Sequence, residues 1–335
     1  MKQSSFAASA GRLMSVEVAS ELIRSGNCYS IAGDESLLRQ LPAGNWIGGT
    51  IPYFLGQDGG ETTQQRVFVA PLPQPVVAPL ITSYTEQSLE RVCLDAPNNG
   101  FSMIVIPAFS AVHTSFARNA PGYDDMFVKP LLGWISGMHL EQTDRQTPLA
   151  VNGQTLTFER DKAVVMHLPL PSHLNASIDI LNLFKPGQGP ALRFDTTGFH
   201  VDGCTVDGKP ARISQFVRDN QIDTRLPLVA DYNGVMINVS IKSINEDGSI
   251  DLYAPVFPDV EYRFAEPIQD YVAEFEARMP AERRHISFSC NCILNYLYLD
   301  LEGKKLPDMW GPMTFGEVAY QLLNQTLVYL RVEPL

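Results

Sequence analysis

Phe288-Ser-Cys-Asn-Cys292, Gly311-Pro-Met-Thr-Phe-Gly-Glu-Val318 and Asn324-Gln-Thr-Leu-Val-Tyr-Leu-Arg-Val332 fill the end of the chain, and they read as strands rich in β-branched and aromatic residues. Between the strands, Glu317 stands next to Gly316 and three residues after Thr314. A carboxylate held at a strand end can bind an ammonium group or order a loop by accepting backbone N–H bonds. The same residue also fits the first turn of a helix over 318–323, where the helix dipole favours an acid. The sequence leaves both readings open.

Working back from these strands, residues 235–244 alternate apolar and polar, Asp247-Gly248 offers a turn, and 249–256 is expected to pair back as a hairpin. Helices are expected over 213–219 and from Pro267 to Met279. Phe184-Lys-Pro-Gly-Gln-Gly-Pro190 resists regular structure, so residues 184–198 are expected to link two domains, 14–183 and 199–335. The first half mixes elements. A short helix capped by Ser15 ends before Gly26, a strand covers 29–32, and a helix over 35–40 is stopped by Pro42. Residues 45–55 read as a glycine-interrupted strand, and 101–109 as a strand apolar enough to be buried on both faces. A short helix is expected over 123–132, a hairpin turn at Asn152-Gly153, strands over 163–168 and 174–183, and a frayed segment over 1–13. The pattern is α+β, with largely antiparallel sheets flanked by helices.

The bulk properties narrow the function. Lys and Arg total 25 against 37 Asp and Glu, a formal charge of −12, so the surface field repels phosphate backbones and anionic membranes. Neither nucleic acid nor a membrane is an expected partner. Five cysteines, at 28, 93, 204, 290 and 292, are odd in number and sparse, which fits a reducing cytoplasm better than a disulfide framework. The first twenty residues lack the apolar stretch of a signal peptide.

Chemistry-bearing motifs are few. Cys290-Asn-Cys292 has metal-like thiols but no second pair; in a strand its two side chains share a face, which favours buried structural cysteines over ligands or a nucleophile. None of the six histidines is spaced for zinc, while His200, next to a glycine-bearing strand, and His167, inside an apolar run, are the two expected to reach a cavity. Gly133-Trp-Ile-Ser-Gly137 has the glycines of a nucleophile elbow with the serine misplaced by one, so Trp134 and Ser136 read as pocket wall rather than as catalyst. The expected ligand site therefore draws on Thr314, Phe315, Gly316 and Glu317, on Cys290 and Asn291, and on Trp134 and Ser136.

With these segments in order, the chain resembles the FIST family of bacterial sensory proteins, through both the N-terminal and the C-terminal FIST domains. The resemblance is carried by Leu132-Gly-Trp-Ile-Ser-Gly137, Val151-Asn-Gly153, Ala163-Val-Val165, Val206-Asp-Gly-Lys-Pro-Ala211, Glu246-Asp-Gly-Ser-Ile250, Phe288-Ser-Cys290, Thr314-Phe-Gly-Glu317 and Asn324-Gln-Thr-Leu327. It implies two FIST-like mixed α/β domains, a small, amino-acid-like ligand, no catalysis, and a separate signalling protein that reads the ligand state. A haem-binding, nitric-oxide-responsive branch of that family makes haem an alternative cofactor, with His200 or His167 as axial ligand. An enzyme using Cys290 or Glu317 is the remaining alternative.

Overall fold

The computed structural model describes residues 11–232, 235–280, 285–306 and 309–335. Strand accounts for 41% of the described residues and helix for 16%, so sheets rather than helices set the architecture. Four sheets of six strands and one of three are found among the described residues. The sheets are largely antiparallel, as the alternating patterns predict.

Three strand pairs are parallel: Tyr29–Gly33 with Trp46–Thr50, Gly100–Pro107 with Leu131–Ser136, and Ile286–Cys292 with Gly311–Thr314. A helix lies in the connection of each pair: Glu35–Leu38, Ala111–Asn119 and Ile293–Tyr298 respectively. These are βαβ units, and the crossover helix is what allows consecutive strands to run the same way. Gly100–Pro107 is buried along its whole length and lies between Leu131–Ser136 and Ala163–Pro169, so its unbroken apolar run faces core on both sides. In the second and third units the incoming strand must approach its neighbour closely. A Cβ on Gly133 would sit 1.8 Å from Ile104 O, and one on Gly311 would sit 1.9 Å from Ser289 O. Only glycine fits at either position.

Both N-terminal helix readings hold. Ser15 Oγ accepts from Val18 N, and Gly26, just past the helix, has φ +82°. Part of the stretch expected to fray, residues 1–10, lies outside the described residues, while Arg12–Met14 forms a strand on Val67–Pro71. Residues 123–132 are not a helix: a 3₁₀ turn over Ala120–Gly122 precedes irregular chain, and Leu131 already begins a strand. Pro121 and Pro130 leave too few residues between them to repay helix nucleation. The helix expected from Pro267 starts at Tyr271, where Asp270 Oδ1 accepts from Ala273 N. Residues 318–323 are a hairpin, Glu317–Ala319 against Gln321–Leu323, with Tyr320 at φ +64° in the turn. Glu317 therefore caps no helix.

Strands from both sides of residues 184–198 share sheets. Leu174–Leu181 pairs along eight residues with Leu327–Pro334, Tyr53–Gly56 pairs with Gly311–Thr314, and Leu131–Ser136 pairs with Glu317–Ala319. The 184–198 segment itself carries a two-residue strand, Leu192–Arg193, bonded to Gly203–Val206 and to Tyr262.

Candidate functional site

The carboxyl ends of two of the parallel pairs converge on a cavity of about 680 Å³. Past the end of Gly100–Pro107 come Ala108, Phe109 and His113; past Leu131–Ser136 comes Met138. From the other βαβ unit come Ile293, Leu294 and Leu297 of the crossover helix, and Phe315 just beyond Gly311–Thr314. The outer wall is Phe199, His200, Lys242, Asp251 and Tyr253, on Gly198–Val201 and on the hairpin Ile241–Ile244 with Ile250–Val256. In open α/β sheets ligands bind outside the carboxyl ends of the strands, because the crossover connections leave a crevice there.

Phe109 forms the turn from strand to helix. Its φ is +63°, a conformation that costs a non-glycine residue on the order of 1 kcal/mol, and its side chain is 58% exposed. The ring stands edge-on to that of Phe315, with centroids 6.0 Å apart, and Lys242 Nζ lies 5.3 Å from its centre. The turn is held from behind. Ser110 Oγ donates to Pro107 O (2.7 Å) and accepts from His113 N (3.1 Å), capping the helix, while Phe109 N donates to His113 Nδ1 (3.3 Å). An imidazole that accepts at Nδ1 carries its proton on Nε2. Burial pushes the His113 pKa down to about 4, so the ring is neutral at pH 7, and its Nε2 has no partner.

His200 Nδ1 meets Asp251 Oδ1 at 2.7 Å on the rim, where that hydrogen bond raises the histidine's pKa. His167 is sealed in a sheet: Tyr84 OH lies 2.8 Å from its Nε2 and Ser102 Oγ 2.7 Å from its Nδ1, and burial lowers its pKa to about 4. With both ring nitrogens committed, His167 does not fit an axial haem ligand. His200, with Nε2 unbonded at the cavity edge, does.

The residues expected from the sequence do come together, but behind the cavity rather than around it. Glu317 lies opposite Trp134 in register, Phe315 N donates to Ile135 O (3.1 Å), and Cys290 Sγ donates to Gly133 O (3.5 Å). Thr314 Oγ1 is 3.3 Å from Asn291 O, and Ser136 is fully buried near Ile106 O. Of the eight, Phe315 lines the cavity; Thr314, Gly316, Glu317, Cys290, Asn291, Trp134 and Ser136 do not.

Glu317 is 0% exposed, and burial raises its pKa to about 8. Its Oε2 accepts from Thr326 Oγ1 (2.8 Å) and Thr326 N (3.3 Å). Its Oε1 is 3.2 Å from Thr314 Oγ1, which is also 3.0 Å from Gly316 O. With Asn291 O at 3.3 Å as well, the Thr314 hydroxyl has one proton for three oxygens. A neutral carboxyl eases the conflict, since it donates to Thr314 Oγ1 and leaves that hydroxyl to the two carbonyl oxygens, Gly316 O being the nearer. Burial, and next Glu317 itself, push both the Cys290 and Cys292 thiols well above their ordinary range. Neither is a thiolate at neutral pH, which removes the activation a nucleophile needs.

A family model described as a family of unknown function, DUF6976, matches residues 14–333. The chain belongs to that family. No curated protein and no solved structure matches it. Among the described residues of this DUF6976 member, no three His, Cys, Asp or Glu side chains are grouped to hold a metal ion. No helix of the described residues is long and apolar enough to cross a membrane.

A second cavity, of about 700 Å³, lies by Arg225, Asp223, Lys304, Tyr271 and Gln325. Its cations are already engaged: Arg225 pairs with Asp223 at 2.6 Å, and Lys304 Nζ donates to Leu299 O at 3.0 Å. A ligand there displaces existing pairs, whereas the cavity at Phe109 offers unpaired groups beside exposed aromatic surface. Phe109, His113 and Lys242 were missed in the sequence. The signal available for Phe109 was Pro107-Ala-Phe-Ser110, an aromatic residue between a buried strand and a serine cap. Lys242 carried none, being one charged position of an alternating strand.

Proposed function

We propose that the protein is a non-catalytic sensory module that binds a small molecule with an apolar body in the cavity between Phe109 and Phe315. The observation that carries this reading is Phe109, an exposed phenyl ring held by a left-handed backbone at the mouth of a strand-end crevice. Strain of that kind persists where function requires the geometry. The two FIST-like halves, 14–183 and 199–335, each supply one parallel pair to the cavity, so a ligand touching both biases how they pack. A separate signalling protein reads that change. The five cysteines, all free and buried, support a cytoplasmic site of action.

Small molecules released on denaturing the natively expressed protein are identified by mass spectrometry, side by side with the Phe109→Ala variant. Removing an aromatic contact of about 1 kcal/mol lowers affinity roughly fivefold. A species depleted in the variant supports the reading; identical recovery from both overturns it. A second reading, haem, is favoured by the free His200 Nε2 beside Asp251. Reconstitution with haemin should then give a Soret band that His200→Ala abolishes, and absence of the band removes this reading.

A further inference from the structure

We infer that the ligand is an aromatic monocarboxylate whose ring packs against Phe109 and Phe315 and whose carboxylate is taken by Lys242. This rests on the cavity reading above and specifies its ligand. Lys242 lines the cavity, and its ammonium lies over the Phe109 ring. Among the described residues no carboxylate is within ion-pair distance of it: Asp251, the acid in the same wall, is engaged by His200 at Oδ1 and by Ser243 Oγ at Oδ2. An uncompensated cation at a cavity mouth is conspicuous in a chain of net charge −12, where acids outnumber bases.

His113 stands in the same wall, with its Nε2 sealed from solvent. Of the buried side-chain polar atoms without a partner among the described residues, only His113 Nε2 belongs to a residue of this wall. It is an N–H donor, because Nδ1 already accepts from Phe109 N. The wall therefore presents one full positive charge, that of Lys242, while the acid beside it, Asp251, is already engaged. A carboxylate pairs with that charge, whereas an ammonium or a guanidinium is repelled by it. Apart from Thr114, Thr143 and the paired His200 and Asp251, the remaining wall, Phe199, Tyr253, Leu297 and Phe315 among it, is aromatic or aliphatic, which calls for a flat apolar body rather than a sugar or a nucleotide. The volume of about 680 Å³ admits one or two fused rings with a short side chain.

Calorimetric titration with 2-naphthoate and with its neutral methyl ester tests the assignment. The expected result is binding of both, with the acid at least tenfold tighter, and a Lys242→Met protein that has lost most of that preference. Lys242 is exposed, so the substitution does not compromise folding. An ester that binds as tightly as the acid, or a preference unchanged in Lys242→Met, overturns the carboxylate while leaving the cavity reading intact. Failure of both probes to bind, or binding of both that Phe109→Ala leaves unchanged, takes down the cavity reading and this inference together.

Discussion

At the scale of single residues, the carboxyl group that stands out in the sequence is structural. Glu317 sits with no exposure among Thr314, Thr326 and two thiols, and its neutral form eases the local shortage of protons. Its folded pKa of about 8 exceeds the ordinary value of 4.5, so the stability it contributes is complete below about pH 4.5 and is lost as pH rises through 8. The loss across that window is on the order of 5 kcal/mol, at about 1.4 kcal/mol per pKa unit. Buried His113 and His167, both lowered to about 4, act in the opposite sense below pH 6.5. Comparison with Glu317→Gln removes them from the balance. Urea unfolding at pH 5 and pH 8.5 should show the wild type losing several kcal/mol more than Glu317→Gln; equal losses would mean that the carboxyl is ionised in the fold. Glu317→Ala should cost about 2–4 kcal/mol at pH 5, through the void and the stranded threonine hydroxyls.

At the scale of elements, the same device recurs in two βαβ units: a parallel strand pair closed by a glycine, with an aromatic residue just past a strand end. Gly133 and Gly311 each lie within 2 Å, by their missing Cβ, of a neighbouring carbonyl oxygen. Phe109 and Phe315 then meet edge to face where the two units converge. Gly133→Ala must push the Gly100–Pro107 and Leu131–Ser136 strands apart, and it is expected to destabilise by about 3 kcal/mol or more, the range of severe core overpacking. Gly122→Ala, where nothing lies within 4 Å, is the control and should change stability by less than about 1 kcal/mol. Denaturation midpoints compare the two directly, and similar values would refute the close-approach argument.

At the scale of the whole molecule, the shared sheets make the two halves of the chain depend on each other. Residues 14–183 alone would leave Leu174–Leu181 without its partner and would open one edge each of Tyr53–Gly56 and Leu131–Ser136. Open apolar edges of that length aggregate or remain unfolded. The fragment is expected to lack a cooperative urea transition and native near-ultraviolet circular dichroism; a sharp two-state transition would show the half to be self-sufficient. The cavity has the same dependence, since its walls come from both halves.

Local signals were enough for much of the architecture. The unbroken apolar run at 101–109, the alternation at 235–244, the Ser15 cap and the turn glycines identify several strands and the first helix, because each pattern reflects burial or backbone freedom within a few neighbouring residues. Thr314, Glu317, Cys290, Asn291 and Trp134, which the sequence put in one group, lie near one another on neighbouring strands. The sequence could not say which side of those strands a cavity would occupy. Whether a polar residue faces a crevice or a sealed core depends on what packs across it from more than a hundred residues away, as Trp134 does for Glu317 and Lys242 does for Phe109. Tertiary structure alone turned the glycine-flanked acid inward and an unremarked phenylalanine outward.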